Sequence, residues 1–151
     1  MQKAAVVAHL TNMLDQRART LGAEIAATLE ARNSDTKSSA GDKHEVGRAM
    51  VQQELDQLEA RLHTVRTMQQ ELTRVPVDRV QERAGFGSLV TTDRGCYFIA
   101  IGLGAFTVGG VGCFALSLAS PLGQALQGKC PGEYTVLNGQ RIQVLSVDRS
   151  G

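Results

Sequence analysis

The sequence predicts an α+β protein, in which an N-terminal antiparallel helical hairpin precedes a small antiparallel β-domain that carries one short helix. The two halves of the 151-residue chain differ sharply in composition. Residues 1–84 contain 12 basic, 12 acidic and 3 glycine residues, whereas residues 85–151 contain 4, 3 and 13. Glycine disfavours a helix interior by about 1 kcal/mol relative to alanine. The first half is therefore suited to long helices and the second to strands and turns.

Two apolar stripes in the first half have the three- and four-residue spacing of a helix face. The first consists of Val7, Leu10, Leu14, Ala18, Leu21, Ile25 and Leu29, and the second of Val51, Leu55, Leu58, Leu62, Val65 and Leu72. Each predicted helix has about 30 residues and a length of about 45 Å. The connection between them is short and polar, which favours an antiparallel hairpin. A parallel coiled-coil dimer is the alternative, but it needs a longer connection or open chains.

The second half contains β-prone runs separated by turn residues. We predict strands at residues 88–92, 96–101, 134–137 and 141–147. Asn138 and Gly139 lie between the last two runs and form the dipeptide preferred in type I′ hairpin turns. Ser120 is a favourable N-cap, and Pro121 suits the first position of a helix, so a short helix is expected to begin there.

Local chemistry between the halves sets the predicted domain boundaries. Val75 precedes Pro76. A proline disfavours helical backbone at the residue before it, so the second helix is expected to end there. The run from Gly85 to Gly87 is typical of a loop. We therefore predict a helical-hairpin domain at residues 1–75, a linker at 76–87 and a β-domain at 88–151.

Residues 98–119 form an apolar stretch that is long enough to span a membrane. The basic residues Arg94 and Lys129 flank the uncharged region, and no aromatic belt marks its far end. A strand–turn–strand arrangement explains the glycines directly, as turns and positions of close packing. The sequence favours strands here, and a membrane helix is the alternative.

The overall composition excludes several functional classes. A net charge of +1, 42% apolar residues and 4% aromatic residues without tryptophan argue against disorder and against an autonomous nucleic-acid binder. The N-terminus lacks the apolar core of a secretory signal, so a cytoplasmic protein is expected. The cysteines (Cys96, Cys113, Cys130) form no CxxC pair and are expected to be reduced, buried thiols. The histidines (His9, His44, His63) are never four residues apart, which argues against a metal pair.

The order of these elements resembles the GreA/GreB family of bacterial transcript-cleavage factors. The C-terminal segment 117–147, SLASPLGQALQGKCPGEYTVLNGQRIQVLSV, is similar to the family's strand, Ser-Pro, one-turn helix, Gly-Lys and closing hairpin. Residues 35–40, DTKSSA, are similar to the family's Asp-Leu-Lys-Glu-Asn-Ala at the hairpin tip. Residues 58–62, LEARL, are similar to the end of the family's second hairpin helix. The resemblance covers nearly the whole chain and implies that the β-domain is FKBP-like.

The resemblance also implies a function. Gre factors dock their C-terminal domain on RNA polymerase and insert the hairpin into its secondary channel, where tip carboxylates help to hold Mg²⁺ for cleavage of backtracked RNA. It also implies a monomer that has no cofactor of its own and no membrane partner. Contact with nascent RNA is implied only within the elongation complex, without independent sequence-specific binding of nucleic acid. Carboxylates shared with the polymerase suit this role, because Mg²⁺ is a hard cation that prefers oxygen ligands.

One departure from the family pattern concerns the tip. Asp35 matches the family's acidic residue, but Ser38 stands where the family has a glutamate, and serine supplies no carboxylate. Asp42 and Glu45 follow closely and are possible substitutes, although acids in a first helical turn also cap the helix and complement its dipole.

By the same resemblance, two groups of residues are candidate contacts. Those for RNA or polymerase near the tip are Lys37, Lys43 and Arg48, and those for polymerase docking are Ser120, Pro121 and Lys129. The alternative function is a non-catalytic coiled-coil interaction protein, anchored in a membrane through residues 98–119. Neither interpretation makes the chain an enzyme by itself.

Overall fold

The computed structural model describes residues 1–35 and 42–149. Its elements are α1 (Lys3–Asp35), α2 (Asp42–Thr73), β1 (Leu89–Thr92), β2 (Gly95–Ile99), β3 (Gly104–Val108), β4 (Val111–Leu116), α3 (Pro121–Leu126), β5 (Tyr134–Leu137) and β6 (Gln140–Val147). The predicted α+β class, a helical hairpin followed by a β-domain with one short helix, is confirmed. The chain divides into a discontinuous sheet unit, Met1–Thr11 with Gln70–Gly151, and a continuous hairpin unit, Asn12–Gln69.

In the hairpin unit, α1 and α2 pair in antiparallel order. Gln69 Nε2 donates a hydrogen bond to Asp15 Oδ1 at 2.9 Å. At the other end, Arg32 Nη1 donates to Gln52 Oε1 at 3.1 Å. The early part of α1 thus faces the late part of α2 within one chain, which confirms the predicted hairpin over the parallel dimer.

The seam of the hairpin unit is only partly buried. Its buried apolar side chains are Leu14, Leu55, Leu58 and Val65. The other members of the predicted stripes are half-buried there, namely Ala18, Leu21, Ile25, Leu29, Val51 and Leu62. Two helices cover a side chain from one direction only, so partial burial is the expected result. At the start of α1 the predicted position is wrong by one residue, because Val6 is fully buried and Val7 is not.

The sheet unit contains a six-stranded sheet with the strand order β3-β4-β2-β1-β6-β5. The pairs β1–β2, β1–β6, β3–β4 and β5–β6 are antiparallel. The pair β2–β4 is parallel, with Tyr97 level with Phe114, which corrects the prediction of an entirely antiparallel sheet. The chain leaves β2, forms the edge strand β3, and returns as β4 between them. Runs of apolar residues do not reveal such a crossover, because it depends on pairing between distant segments.

Residues 98–119 form strands and turns, as the sequence favoured. The end of β2, the β3–β4 hairpin and the approach to α3 account for this stretch, with a turn at Gly109 and Gly110 where φ is 58° and 81°. Among the described residues, none of the helices has the length and apolar character needed to cross a bilayer. The alternative of a membrane helix at residues 98–119 is therefore wrong.

The core of the sheet unit lies between the sheet and α3. Its buried members are Ala84, Val90, Ile99, Leu116, Leu126, Ile142, Val144 and Val147. Gly123 lets α3 approach the preceding chain closely, because a Cβ atom there would lie 2.3 Å from the Ser117 carbonyl oxygen and 2.7 Å from that of Leu118. The predicted hairpin turn is confirmed as well, since φ is 51° at Asn138 and 76° at Gly139.

Residues 74–88 form turns and extended backbone within the sheet unit. Ala84 exchanges backbone hydrogen bonds with the chain after α3, donating to the Lys129 carbonyl oxygen at 2.8 Å and accepting from Gly128 at 2.7 Å. Ser88 is fully buried, and its hydroxyl bonds the Gln81 side chain. This segment is therefore tied closely to the sheet.

Candidate functional site

The predicted tip residues lie where α1 ends and α2 begins. Lys37 and Ser38 lie outside the described residues. The predicted residues whose backbone is helical but whose side chains are outside the description are Asp35, Asp42, Lys43 and Glu45. Their roles as Mg²⁺ ligands or as RNA and polymerase contacts stay predictions.

A basic depression of about 460 Å³ lies beside the described end of the hairpin. Its lining residues are Arg32, Asn33, Arg48, Ala49 and Gln52. Arg48 is exposed, as a contact residue requires. Arg32 is a cation that the sequence analysis missed, although its place in the last turn of α1 is a common one for a basic residue. Two guanidinium groups in one depression are chemically suited to anions such as phosphate or carboxylate groups.

An apolar groove of about 660 Å³ runs along the hairpin unit. Its lining residues are Met13, Gln16, Arg17, Thr20, Leu21, Arg61, Thr64, Val65 and Met68. The hairpin unit therefore exposes apolar surface in a groove that Arg17 and Arg61 also line.

The predicted docking residues surround α3. Ser120 caps this helix: its hydroxyl oxygen accepts a hydrogen bond from the Gly123 N–H at 3.1 Å and donates to the Ser117 carbonyl oxygen at 2.7 Å. Pro121 occupies the start of the helix, and Lys129 follows it with a half-buried side chain. The predicted cap is confirmed. Because both bonds of the Ser120 hydroxyl are internal, its first task is structural, and its docking role stays a prediction.

A patch on β5 and β6 is the most evident exposed surface near α3. We call Tyr134, Val136, Arg141 and Leu145 the β5–β6 patch. Their alternation along paired antiparallel strands puts them on the solvent face, while Ile142 and Val144 point into the core. Tyr134, Val136 and Leu145 are 50–57% exposed. The Arg141 guanidinium lies 3.8 Å from the centre of the Tyr134 ring.

The β5–β6 patch has the composition of a binding surface. Tyrosine and arginine are enriched among the residues that dominate protein interfaces, and the exposed aliphatic side chains beside them add apolar area. The sequence analysis missed the patch because it used the alternation of residues 141–147 only to assign a strand. The apolar residues at the outward positions were the available signal.

Two of the three cysteines are adjacent in the structure. The Cys113 thiol donates a hydrogen bond to Cys96 Sγ, and the two sulfur atoms are 3.0 Å apart. Cys113 is buried as predicted, but Cys96 and Cys130 are only half-buried, which corrects the expectation of three buried thiols. The sequence could not show the pair, because the parallel crossover brings it together.

No set of three His, Cys, Asp or Glu side chains suited to a metal ion occurs among the side chains that the structure describes. His9 stacks on Phe106 with ring centroids 6.0 Å apart, and His63 is exposed on α2. The candidate sites described above are the basic depression, the hairpin groove and the β5–β6 patch.

Comparison with known proteins found likenesses among solved structures, two of which are described here. No protein-family model matches the chain, and no curated protein matches it. A solved structure of the transcription factor Gfh1 has 19% sequence identity and a TM-score of 0.37, over 91% of this chain and 92% of that one. A crystal structure of Thermus aquaticus Gfh1 has 22% identity and a TM-score of 0.34, over 97% of this chain and 96% of that one.

Proposed function

We propose that this chain is a Gre-like regulator of transcription elongation that binds bacterial RNA polymerase. In this proposal the hairpin enters the secondary channel and the sheet unit docks on the rim of the channel. The observation that carries the proposal is the antiparallel pairing of α1 and α2 around the Gre-like residues 35–45, followed in the chain by a sheet unit with the Ser120–Pro121 helix and the closing β5–β6 hairpin.

The β5–β6 patch is the proposed docking surface. Tyr134 and Val136 supply apolar area that gains stability when it is removed from water. Arg141 is already held against the Tyr134 ring, so little side-chain freedom is lost when it pairs with a carboxylate of a partner. Ser120, Pro121 and Lys129 belong to the same proposal, and Ser120 acts there by shaping the start of α3.

The basic depression supports the proposal that the hairpin enters the secondary channel. Arg32 and Arg48 lie beside the end of the hairpin that would approach the polymerase active site. There they would pair with polymerase carboxylates or with phosphates of the RNA 3′ segment. Lys37 and Lys43 add positive charge to the same part of the sequence.

Cleavage of RNA depends on carboxylates at the tip. Asp35 would supply one oxygen ligand to a Mg²⁺ ion held jointly with the polymerase, where the metal activates water for hydrolysis. Ser38 supplies none, so a second carboxylate would have to come from Asp42 or Glu45. In this proposal, binding of the polymerase through the sheet unit does not depend on these carboxylates.

The test uses a stalled, backtracked polymerase complex and a labelled secondary-channel factor. We expect the wild-type protein to displace the labelled factor, and Tyr134→Ala with Val136→Ser to weaken this competition at least about tenfold. Val80→Ser is the matched control for Val136→Ser, because the two valines are 56% and 57% exposed in the same unit. Absence of competition by the wild-type protein would overturn the proposal.

Cleavage is measured in the same complex by following the length of the RNA. Faster cleavage with wild-type protein that is lost in Asp35→Ala would assign the chemistry to the tip. Competition without faster cleavage would identify a channel-binding regulator that lacks this chemistry.

A further inference from the structure

The strands that hold Cys96 and Cys113 place the two side chains side by side. Cys96 precedes Tyr97 in β2, and Cys113 precedes Phe114 in β4, where Tyr97 and Phe114 are level in the parallel pair. The cysteines are therefore level as well, one residue earlier in each strand. The 3.0 Å separation of their sulfur atoms shows that both side chains lie on the same face of the sheet.

This placement suits a covalent bond between the sulfur atoms. Neighbouring strands lie about 4.7–4.9 Å apart, which falls inside the range of about 4.4–6.8 Å between Cα atoms of disulfide-bonded cysteines. The sulfur atoms need to approach by only about 1 Å to reach bonding distance. Small rotations of the two side chains supply this approach without a change in strand pairing.

The pair is open to small molecules. Cys96 and Cys113 line a shallow depression of about 460 Å³, together with Arg94 and Phe106. This depression gives small molecules open space beside the two cysteines.

The hydrogen bond between the thiols makes them chemically unequal. The bond that Cys113 donates lowers the pKa of Cys96, whereas the same bond raises the pKa of Cys113. Because the thiolate is the reactive form of cysteine, Cys96 is the stronger nucleophile of the pair at neutral pH. Cys113 stays protonated until Cys96 has reacted.

We propose that Cys96 and Cys113 form a reversible redox pair, which a peroxide oxidises to an intramolecular disulfide and which a low-molecular-weight thiol reduces. This modification is independent of the function proposed above. In the first step the Cys96 thiolate attacks one oxygen of hydrogen peroxide, the O–O bond breaks, and a sulfenic acid and hydroxide are formed. The hydroxide takes the proton of Cys113 and becomes water.

In the second step the Cys113 thiolate attacks the Cys96 sulfur. The S–S bond forms, the S–O bond breaks, and the oxygen leaves as hydroxide, which takes up a proton and becomes a second water molecule. The two thiols lose two electrons in total, and the peroxide gains them. Two equivalents of a thiol such as glutathione return the pair to its reduced state by exchange.

Cys130 provides an internal comparison. It lies in the turn before β5, its N–H donates to Glu133 Oε1 at 2.8 Å, and it has no cysteine beside it. Its pKa is raised, first by partial desolvation and then by its hydrogen bond with Glu133. Cys130 is therefore expected to react with peroxide more slowly than Cys96.

The test treats the full-length protein with graded hydrogen peroxide, blocks free thiols with N-ethylmaleimide under denaturing conditions, and measures tryptic peptides by mass. Residues 95–129 form one tryptic peptide, because trypsin cleaves after Arg94 and after Lys129 and no other basic residue lies between them. We expect this peptide to lose about 2 Da and to carry no maleimide, while Cys130 in the next peptide stays free. Dithiothreitol should restore two maleimide-reactive thiols.

Three results would overturn the proposal. One is a 95–129 peptide that keeps two free thiols at peroxide doses that oxidise Cys130. Another is a disulfide between two chains in place of the internal bond. The third is direct oxidation of the cysteines to sulfinic acid without a disulfide.

Variants test the assigned roles, with circular dichroism as the check of folding. Cys130→Ser should form the internal disulfide as the wild type does. In Cys113→Ser the sulfenic acid on Cys96 persists and is trapped by dimedone, whereas Cys96→Ser should give about tenfold less dimedone adduct on Cys113. Equal adducts in both variants would overturn the assignment of Cys96 as the attacking thiol. The wild-type mass measurement stands even if a variant fails to fold.

Discussion

Lys3 and Asp148 form a buried ion pair, with Lys3 Nζ 2.8 Å from Asp148 Oδ2 and the two side chains only 4% and 1% exposed. Lys3 Nζ also donates to the Arg79 carbonyl oxygen at 3.0 Å. The Asp148 carboxylate accepts from the backbone N–H groups of Gln81 at 2.7 Å and Leu89 at 2.8 Å. The pair therefore joins the start of α1, the segment before β1 and the end of β6 inside the sheet unit.

We expect Asp148→Ala to lower the free energy of unfolding by about 3–5 kcal/mol, because it leaves the Lys3 ammonium buried without a counter-charge. The same change also removes the acceptor for the Gln81 and Leu89 N–H groups. Denaturant unfolding measures the effect. Asp78→Ala, at an exposed position, is the control and should change stability by less than about 0.5 kcal/mol. Equal effects of the two changes would contradict the role of the ion pair.

Lys3→Met is expected to lower the free energy of unfolding by less than Asp148→Ala does. The Asp148 carboxylate keeps two backbone N–H donors when Lys3 is removed. Hydrogen bonds to a charged group are strong, so these two partly compensate the carboxylate for the loss of the ammonium group. The methionine also retains much of the apolar length of the lysine. The same unfolding measurement decides the order, and a larger loss in Lys3→Met would show that the backbone donors do not hold the carboxylate.

Two glycine-to-alanine changes should act in opposite directions. Gly123→Ala puts a Cβ atom against backbone atoms of Ser117 and Leu118, and we expect a loss of about 1–3 kcal/mol from this overpacking. Gly22→Ala in α1 meets no atom within 4 Å and should stabilise by about 0.5–1 kcal/mol, since alanine favours a helix. Thermal and denaturant midpoints measure both. A neutral Gly123→Ala would mean that α3 can move away from the preceding chain.

The cap at Ser120 separates a structural role from a docking role. Ser120→Ala removes the acceptor for the Gly123 N–H and should cost about 1 kcal/mol. Ser120→Asp restores a capping oxygen, so its stability should lie close to that of the wild type. If Ser120 acts only by capping α3, polymerase competition is also kept in Ser120→Asp. Loss of competition in a stable Ser120→Asp protein would point to direct contact by the hydroxyl.

The alkylation of Cys96 should depend on pH differently from that of Cys130. The pKa of Cys96 is lowered by the hydrogen bond from Cys113, and that of Cys130 is raised, so the thiolate of Cys96 persists to lower pH. Rates with iodoacetamide, read by peptide mass between about pH 6 and pH 10, should therefore rise at lower pH for Cys96. Cys113→Ala should move the Cys96 midpoint to higher pH. An unchanged midpoint would show that the hydrogen bond does not act on Cys96.

Much of this fold could be predicted because its signals are local. The heptad-like spacing from Leu10 to Leu29 determines a helix face without knowledge of its partner. The Asn138–Gly139 turn and the Ser120 cap also depend only on neighbouring residues, and each is found in the structure.

The rest depends on pairing between distant residues. Val6 replaces Val7 as the buried residue because the first turns of α1 belong to the sheet unit and not to the hairpin unit. The Cys96–Cys113 pair needs the parallel crossover, and the contact of Lys3 with Asp148 spans 145 positions. No spacing rule in a single sequence reports such contacts, so the sequence analysis described these residues one at a time. For the site, the contact roles of Ser120 and Arg48 stay predictions, and the sequence analysis missed the exposed β5–β6 patch.

The discontinuous make-up of the sheet unit has a consequence for synthesis on the ribosome. The hairpin unit is continuous from residue 12 to residue 69, so all of its contacts become available early in translation. Lys3 emerges before the hairpin unit yet must wait for Asp148, 145 positions later, before its ion pair can form. A nascent chain that is arrested before residue 148 should therefore resist protease within the hairpin while its first residues remain open to cleavage.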